Sequence, residues 1–423
     1  MSTTGQPLEQ ERREVNTNAE CRGVQPLGPL AQENDLLARF ECDAERAGLV
    51  GEKKNAKIVL LVAMSAKLPK PLNLSVGGAS SAGKNYLIGI VAGFIPETDK
   101  KILTGMSPKA LMHSGENEFE HKAVFIAEYE GVSGADYAIR TMQSEQVIEW
   151  HFADHSKGNG IEKRERRVKG PAAFIQATTR VTLHPENETR QLFIEVDESD
   201  AQTRAINAQQ ALEAEKKATA CPPEVYRAWQ GFLASLESKP VRIPFASQLA
   251  DRLPSERVRS RRDFPKLLGL IEASAFLHQH RRSRDERDSI VAAPQDYLIA
   301  KELFEHCYCA GPDSRVGELL KAAGKLGSDF CVADLMQETG WGKSKTYAVL
   351  NRAEELGNVA EREKRGRYRL LHSRVEPLLT LPAKIRLSAD DFRISTGTPP
   401  ENFRNSTFST AGEGASLDGK TEN

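Results

Sequence analysis

Residues 78–85 of this chain read GASSAGKN, and Gly78, Gly83 and Lys84 fall at the spacing G-x-x-x-x-G-K. When such a loop follows a strand and opens a helix, its glycines let successive backbone N–H groups converge on phosphate oxygens. The helix N-terminus adds partial positive charge and the lysine reaches the outer phosphates. Here the loop follows the strand-like NLSV and precedes the helical NYLIGIVAGFI, with Ser80, Ser81 and Ala82 as the small residues between the glycines. Asn85 stands where these loops carry Ser or Thr as a magnesium ligand; its amide oxygen can take that role, though less well placed than a hydroxyl. The expected cofactors are ATP and Mg²⁺. The alternative is a Gly/Ser-rich turn with an exposed lysine.

Hydrolysis at such a loop needs carboxylates at the end of a second strand, one for the metal and one to polarise water. AVFIAEYEG supplies Glu128 and Glu130 after a continuous apolar run, while Ala127 occupies the usual Asp position. Glu128 falls at the water-activating position and is, with Asn85, a candidate magnesium ligand; Glu130 is a candidate to support the metal. Both could instead be surface carboxylates after a core strand. Thr178 and Thr179 end a third run, GPAAFIQATT, where Thr179 could orient the water. Arg190 precedes a fourth, QLFIEVD, and an arginine there suits a neighbouring subunit's γ-phosphate.

Positioning these groups requires a sheet. KAVFIAEYEG, GPAAFIQATT and QLFIEVD are continuously apolar rather than alternating, as strands buried on both faces are. Helical segments separate them, which predicts an α/β fold: a three-layer domain with a mainly parallel sheet. A helical zone is expected over 34–68 and a mostly helical lid from about 201 to 280. The domain reading is a disordered tail over 1–33, the ATPase domain with its lid over 34–300, a winged helix-turn-helix over 310–373, and a second disordered tail over 374–423.

The net charge of −1 confines any nucleic-acid surface to a local patch. No apolar run is long enough for a membrane span and the N-terminus lacks a signal-peptide pattern, so a cytoplasmic location is expected. Cysteines 21, 42, 221, 307, 309 and 331 are scattered, as in a reducing compartment. HCYC at 306–309 has no second Cys/His pair at ligand spacing, so it is read as a buried helix end.

The order of these parts resembles the AAA+ core of minichromosome-maintenance (MCM) helicases, and more closely the MCM-like helicases and primase-associated ATPases of phages and mobile elements. GASSAGKN looks like the Walker A loop, AVFIAEYEG the Walker B strand, and DYAIRTMQSEQVIEWHF the helix running into a strand. GPAAFIQATT looks like sensor 1, ENETRQLFIEVDE the arginine-finger strand, and RRDFPKLLGLIEASAFL the sensor 2 helix, with Arg262 as its arginine. The resemblance spans about 58–280. It implies ATP hydrolysis at the subunit interfaces of a ring, expected to be a hexamer, coupled to movement along DNA. A primase or replication initiator is an expected partner. Asn85 and Ala127 depart from the family at the magnesium shell, and nothing here corresponds to the zinc-bearing collar of MCM helicases.

Two regions suit DNA. In VIEWHFADHSKGNGIEKRERRVKGP, two strand-like arms flank the turn signal SKGNG, and the return arm carries Lys163, Arg164, Arg166, Arg167 and Lys169. In the resembled family this hairpin enters the ring's pore; cations on it suit non-specific phosphate contacts, or protect an exposed edge. Over 319–371, VADLMQETG and GKSKTYAVLNRAEELG read as two helices joined by a turn at Trp341, then VAEREKRGRYRLL as a two-stranded wing. Thr346, Val349, Ala353 and Leu356 form the inward stripe of the second helix, leaving Ser344, Tyr347 and Asn351 outward to meet the major groove. Lys343, Lys345, Arg365 and Arg367 would contact phosphates; docking to a protein is the alternative use. The leading expectation is an ATP-dependent DNA helicase or translocase for a mobile element. The alternatives are an ATP-switched initiator or regulator and a nucleotide-binding scaffold with weakened hydrolysis.

Overall fold

The computed structural model describes residues 28–105, 107, 110–128, 135–154, 162–179, 190–215, 221–252, 260–310, 312–355, 358–362 and 366–371. The chain opens with α1 (Leu36–Arg46), whose N-cap Asp35 accepts a 2.9 Å hydrogen bond from the Ala38 N–H. Next comes α2 (Lys53–Ser65), with every residue from Ile58 to Ser65 buried. A helix apolar on all sides belongs inside a domain, and α2 lies under the sheet.

The sheet strands are interleaved with helices: β1 (Leu74–Gly77), α3 (Lys84–Phe94), β2 (Lys100–Leu103), β3 (Lys122–Ile126), α4 (Asp136–Glu145). A hairpin of β4 (Val147–Asp154) and β5 (Glu162–Lys169) leads into β6 (Ala172–Thr178) and β7 (Leu192–Glu195). The five-stranded sheet has the order β2-β3-β6-β1-β7, with every neighbouring pair parallel. Gly77 is level with both Thr178 and Glu195, and Ile126 with Gln176, so the ends of β1, β3, β6 and β7 share one edge.

The continuous apolar runs are explained by the two faces this sheet buries. On β3, Ala123 and Phe125 enter the larger core with α2, whereas Val124 and Ile126 enter a second core with α4 and the hairpin. Successive side chains of a strand point to opposite faces, so both sets must be apolar. Inside, Gln176 Nε2 donates to Ser75 Oγ and Gln191 Oε1, both at 3.0 Å, tying β6 to β1 and to the residue before β7.

The remainder of the larger core is helical. It comprises α5 (Asp200–Ala214), α6 (Pro223–Ser235), β8 (Val241–Arg242), α7 (Ala246–Ala250), α8 (Ser260–Leu277), β9 (Ile290–Val291) and α9 (Pro294–Ala310). Among these helices, α5 alone contributes no buried residue. A smaller C-terminal unit follows: α10 (Pro312–Leu326), β10 (Asp329–Cys331), α11 (Val332–Thr339), α12 (Lys343–Glu355), β11 (Val359–Glu361) and β12 (Arg367–Leu370). Its three strands are antiparallel in the order β10-β12-β11 and share a separate core with the three helices.

Four expectations change. Leu30, placed in the N-terminal tail by its polar surroundings, is buried in the larger core, in a helical turn over Pro29–Gln32. The boundary at residue 300 falls inside α9, whose Tyr297, Leu303, Phe304 and Cys307 all join that core. β2 and β10 are additional strands, each too short for a periodic signal. Tyr347 on α12, expected outward, is half-buried against the C-terminal core, while Thr346, Val349 and Ala353 are buried as expected. Residues 1–27, 372–423 and Leu356 lie outside the described residues.

The strand under the glycine loop is packed tightly. A Cβ built on Gly77 would meet the Phe193 ring at 2.5 Å. That ring carries the Arg315 guanidinium of α10, 5.2 Å from its centroid, and Arg315 is buried in an ion pair with Glu195. Overpacking a core costs about 1–3 kcal/mol. Gly77→Ala is therefore expected to lower the free energy of unfolding by that amount in a denaturant titration, and adding Phe193→Leu should restore part of it.

Candidate functional site

The loop between β1 and α3 is built for curvature. Gly78 has φ +152°, and a Cβ there would stand 2.6 Å from Val196 Cγ2; Gly83 is left-handed at φ +90° and caps α3. Ser81 is also left-handed, at φ 67°, an uncommon conformation for a residue with a side chain. Lys84, the first residue of α3, is only 8 % exposed. Its Nζ donates to the carbonyls of Gly78 (2.9 Å) and Ala79 (2.6 Å). The ammonium therefore sits inside the turn and holds the start of the loop against its end. Ser80, Ser81 and Gly83 are exposed, as is Asn85 on the first turn of α3, and Ala82 is half-buried.

On the β7 side, the loop borders a cleft of about 560 Å³. Ala79–Gly83 form its floor, with Tyr86 and Leu87 beside them. Gly48–Val50 and the polar face of α5 make its walls. Three contacts tie the lining together, one of them from the floor. The Ala79 N–H donates to Glu198 Oε1 (2.5 Å), the Asp197 N–H to Glu52 Oε1 (2.6 Å), and Gln202 Nε2 to the Val50 carbonyl (2.7 Å). Burial pushes the Glu52 carboxyl above the usual carboxylate range, opposed by hydrogen bonds from the Asp197 N–H and Asn55. The charged residues lining the cleft are all carboxylates: Glu52, Asp197, Glu198 and Glu213.

Glu128 and Thr179 lie on the other side of the loop. Each is exposed just past the end of its strand, Glu128 after β3 and Thr179 after β6, on the same sheet edge as the loop. Thr178 is buried. The register brings Glu128 level with Thr178, one strand from β1. Neither Glu128 nor Thr179 lines the cleft. Arg190 occupies the opposite edge, two residues before β7, where its Nε donates to Ser144 Oγ at 3.1 Å. Parallel β1 and β7 separate it from the loop of its own chain by their full length. Arg262 is exposed in the first turn of α8 and does not line the cleft. Glu130 lies outside the described residues.

The hairpin cations are partly engaged within the chain. Arg167 pairs with Glu149 (3.5 Å), its partner in the register, and Lys169 with Glu116 (2.8 Å); Arg166 donates to the His113 carbonyl (3.2 Å). The two ion pairs are exposed, and exposed pairs exchange readily for other anions. Lys163 and Arg164 belong to β5, opposite Ala153 and Phe152; the connecting residues 155–161 lie outside the described residues. In the C-terminal unit Lys343 and Ser344 are exposed at the start of α12, Lys345 Nζ lies 5.2 Å over the Trp341 ring, and Arg367 is exposed on β12. Arg365 lies outside the described residues. Arg362 and Arg369, which sequence reasoning passed over, both hold Asp329 Oδ1 (2.6 and 3.4 Å).

Sequence reasoning also passed over Tyr86, Glu198, Gln202 and the Gly48–Val50 edge. Tyr86 follows the motif directly and could have been flagged by position. The others meet the loop only through tertiary structure. Comparison with known proteins returns no matching family model and no matching curated protein.

Lys84→Met keeps the side chain's length but removes both hydrogen bonds to the loop carbonyls. Charge-assisted bonds of this kind contribute about 1.5–3 kcal/mol, so amide exchange over residues 79–83 is expected to accelerate by roughly 10-fold or more. Exchange in β3 and β6 should be unchanged. An unaltered rate in the loop would show that Lys84 does not hold it.

Proposed function

We propose that this chain is an ATP-dependent DNA translocase or helicase of the MCM-like AAA+ type, working as a ring in replication of a phage or mobile element. The observation that carries the reading is the setting of Lys84. It opens the helix after β1, its ammonium is folded onto the carbonyls of Gly78 and Ala79, and β6 and β3 lie beyond β1 with Glu128 at the shared edge. Ligands of open parallel sheets bind outside the carboxyl ends of the strands. In this reading 78–84 is a P-loop whose N–H groups and Lys84 bind the nucleotide's phosphates.

Glu128 takes the proton of the attacking water and Thr179 orients that water. Magnesium fits the donors available: Asn85 and Glu128 offer oxygens on one edge, and no cluster of three metal-binding side chains exists among the described residues. Mg²⁺ is commonly held by one or two protein oxygens, with phosphates and water supplying the rest. Arg190 sits on the far edge from its own loop, so it acts on the nucleotide of a neighbouring subunit. That requires a head-to-tail interface between subunits, and its closure into a hexamer is what the resemblance implies. The lid, the DNA-contacting hairpin and the C-terminal unit, read as a winged helix, complete the assignment. A primase or initiator is its proposed partner.

One observation favours the scaffold alternative, in which nucleotide is bound and hydrolysis is weak. Asn85 and Ala127 replace the usual magnesium ligands, and the cleft lining carries carboxylates only. Both readings are tested by ATP turnover with and without single-stranded DNA. The motor predicts DNA-stimulated turnover that falls at least ~100-fold in Lys84→Ala and Glu128→Gln, the loss typical of a group acting in the transition state. ATP binding without turnover in the wild type would leave the scaffold. A mixture of Glu128→Gln and Arg190→Ala chains should regain activity, because some interfaces then carry both intact groups.

A further inference from the structure

Tyr86 lies on the first turn of α3, two residues beyond Lys84, and a helix rises only about 1.5 Å per residue. Its side chain is 54 % exposed although it lines the cleft, so much of its ring is presented to open space there. Its hydroxyl donates to the Gly48 carbonyl at 3.2 Å. Gly48 allows this approach: its φ is +101°, and a Cβ would stand 2.6 Å from the Tyr86 oxygen. The ring is thus fixed at both ends, by the helix and by the Gly48 edge, and no other aromatic ring stacks on it among the described residues. Across the cleft stand Gln202, Ile206 and Gln210 of α5, a helix that buries none of its residues.

A fixed, half-open aromatic ring beside the loop of the proposed phosphate site faces a wall of α5 that carries the amides of Gln202, Asn207 and Gln210, the aliphatic Ile206 and the carboxylate of Glu213. A ring to stack on, with amides and a carboxylate to meet polar edges, has the chemistry of a nucleobase site. We propose that Tyr86 is the stacking platform for the base, so that the cleft takes a nucleoside triphosphate, purine in preference to pyrimidine, rather than a bare polyphosphate. This rests on the reading of 78–84 as the phosphate-binding loop. Stacking draws on the π-face that every base has, and a purine offers the larger one. Base–aromatic stacking is lost on alanine substitution with an effect of roughly 5- to 100-fold in affinity.

The test is calorimetric titration of the full chain, with magnesium present, by ATP, CTP and inorganic tripolyphosphate. The wild type is expected to bind ATP at least ~10-fold more tightly than tripolyphosphate, with CTP between them. Tyr86→Ala should remove most of the difference between ATP and tripolyphosphate and leave tripolyphosphate within about twofold of wild type. Tyr86→Phe and Tyr86→Trp, which keep a ring, should retain the preference. Equal affinity of the wild type for ATP and tripolyphosphate, or an ATP affinity unmoved by Tyr86→Ala, overturns the platform and leaves the loop reading intact. So does an equal loss for both ligands, which marks a structural role. Binding of none of the three by the wild type overturns the loop reading and the platform with it.

Discussion

The two hydrogen bonds from the Lys84 ammonium to the carbonyls of Gly78 and Ala79 are the contacts on which the rest of the site depends. A buried cation is costly unless its donors are used, and here the loop's own carbonyls take two of them. The same contacts bring the first and last residues of the loop together, fixing the bend that Gly78 and Gly83 make possible. Beneath this turn, Gly77 leaves room for the Phe193 ring, and Phe193 is backed by Arg315 from the C-terminal unit. The larger core and the smaller unit are thus in contact directly under the loop.

The parallel sheet divides the work along its edge. On the β7 side of the loop lies the cleft, with Tyr86 and the polar face of α5. On the β6 and β3 side lie Thr179 and Glu128. A nucleotide whose phosphates occupy the loop would have its base on the first side and its reacting phosphate toward the second. Arg190 stands outside this arrangement, on the opposite edge of the same sheet. Within its own chain it is held by Ser144 Oγ; action on another subunit is the role the proposed function gives it.

The central elements were legible in the sequence because sheet burial imposes a strong local signature. Strands covered on both faces must be continuously apolar, so β3, β6 and β7 stand out, and the loop is punctuated by its glycines. Features set by tertiary contact were not legible. Glu198 meets Ala79 across 119 positions of chain, and Gln202 meets Val50 across 152. Leu30 sits in a polar stretch yet is buried, because one apolar side chain in a helical turn carries no period. β2 and β10 have only four and three residues. Helical spacing places Tyr347 on a face of its helix but does not say how wide the buried face is, and the half-buried Tyr347 lies within it. Conversely, the spacing of basic residues in the hairpin gave no hint that Arg167 and Lys169 pair with Glu149 and Glu116.

The acidic lining of the cleft gives Asn85 and Ala127 their meaning. Under the proposed function, a triphosphate beside these carboxylates would need a cation such as magnesium, while Asn85 and Ala127 stand where the resembled family carries its ligands. Glu128 and Asn85 remain as oxygen donors on one edge. The central claim, that residues 78–84 bind nucleotide phosphates, is tested most directly by equilibrium binding of ³²P-labelled ATP with and without magnesium. The account predicts one magnesium-dependent site per chain in the wild type, with affinity falling at least ~10-fold in Lys84→Ala, the loss of a charge-assisted contact. Wild-type binding unaffected by Lys84→Ala, or no binding with magnesium present, would contradict it.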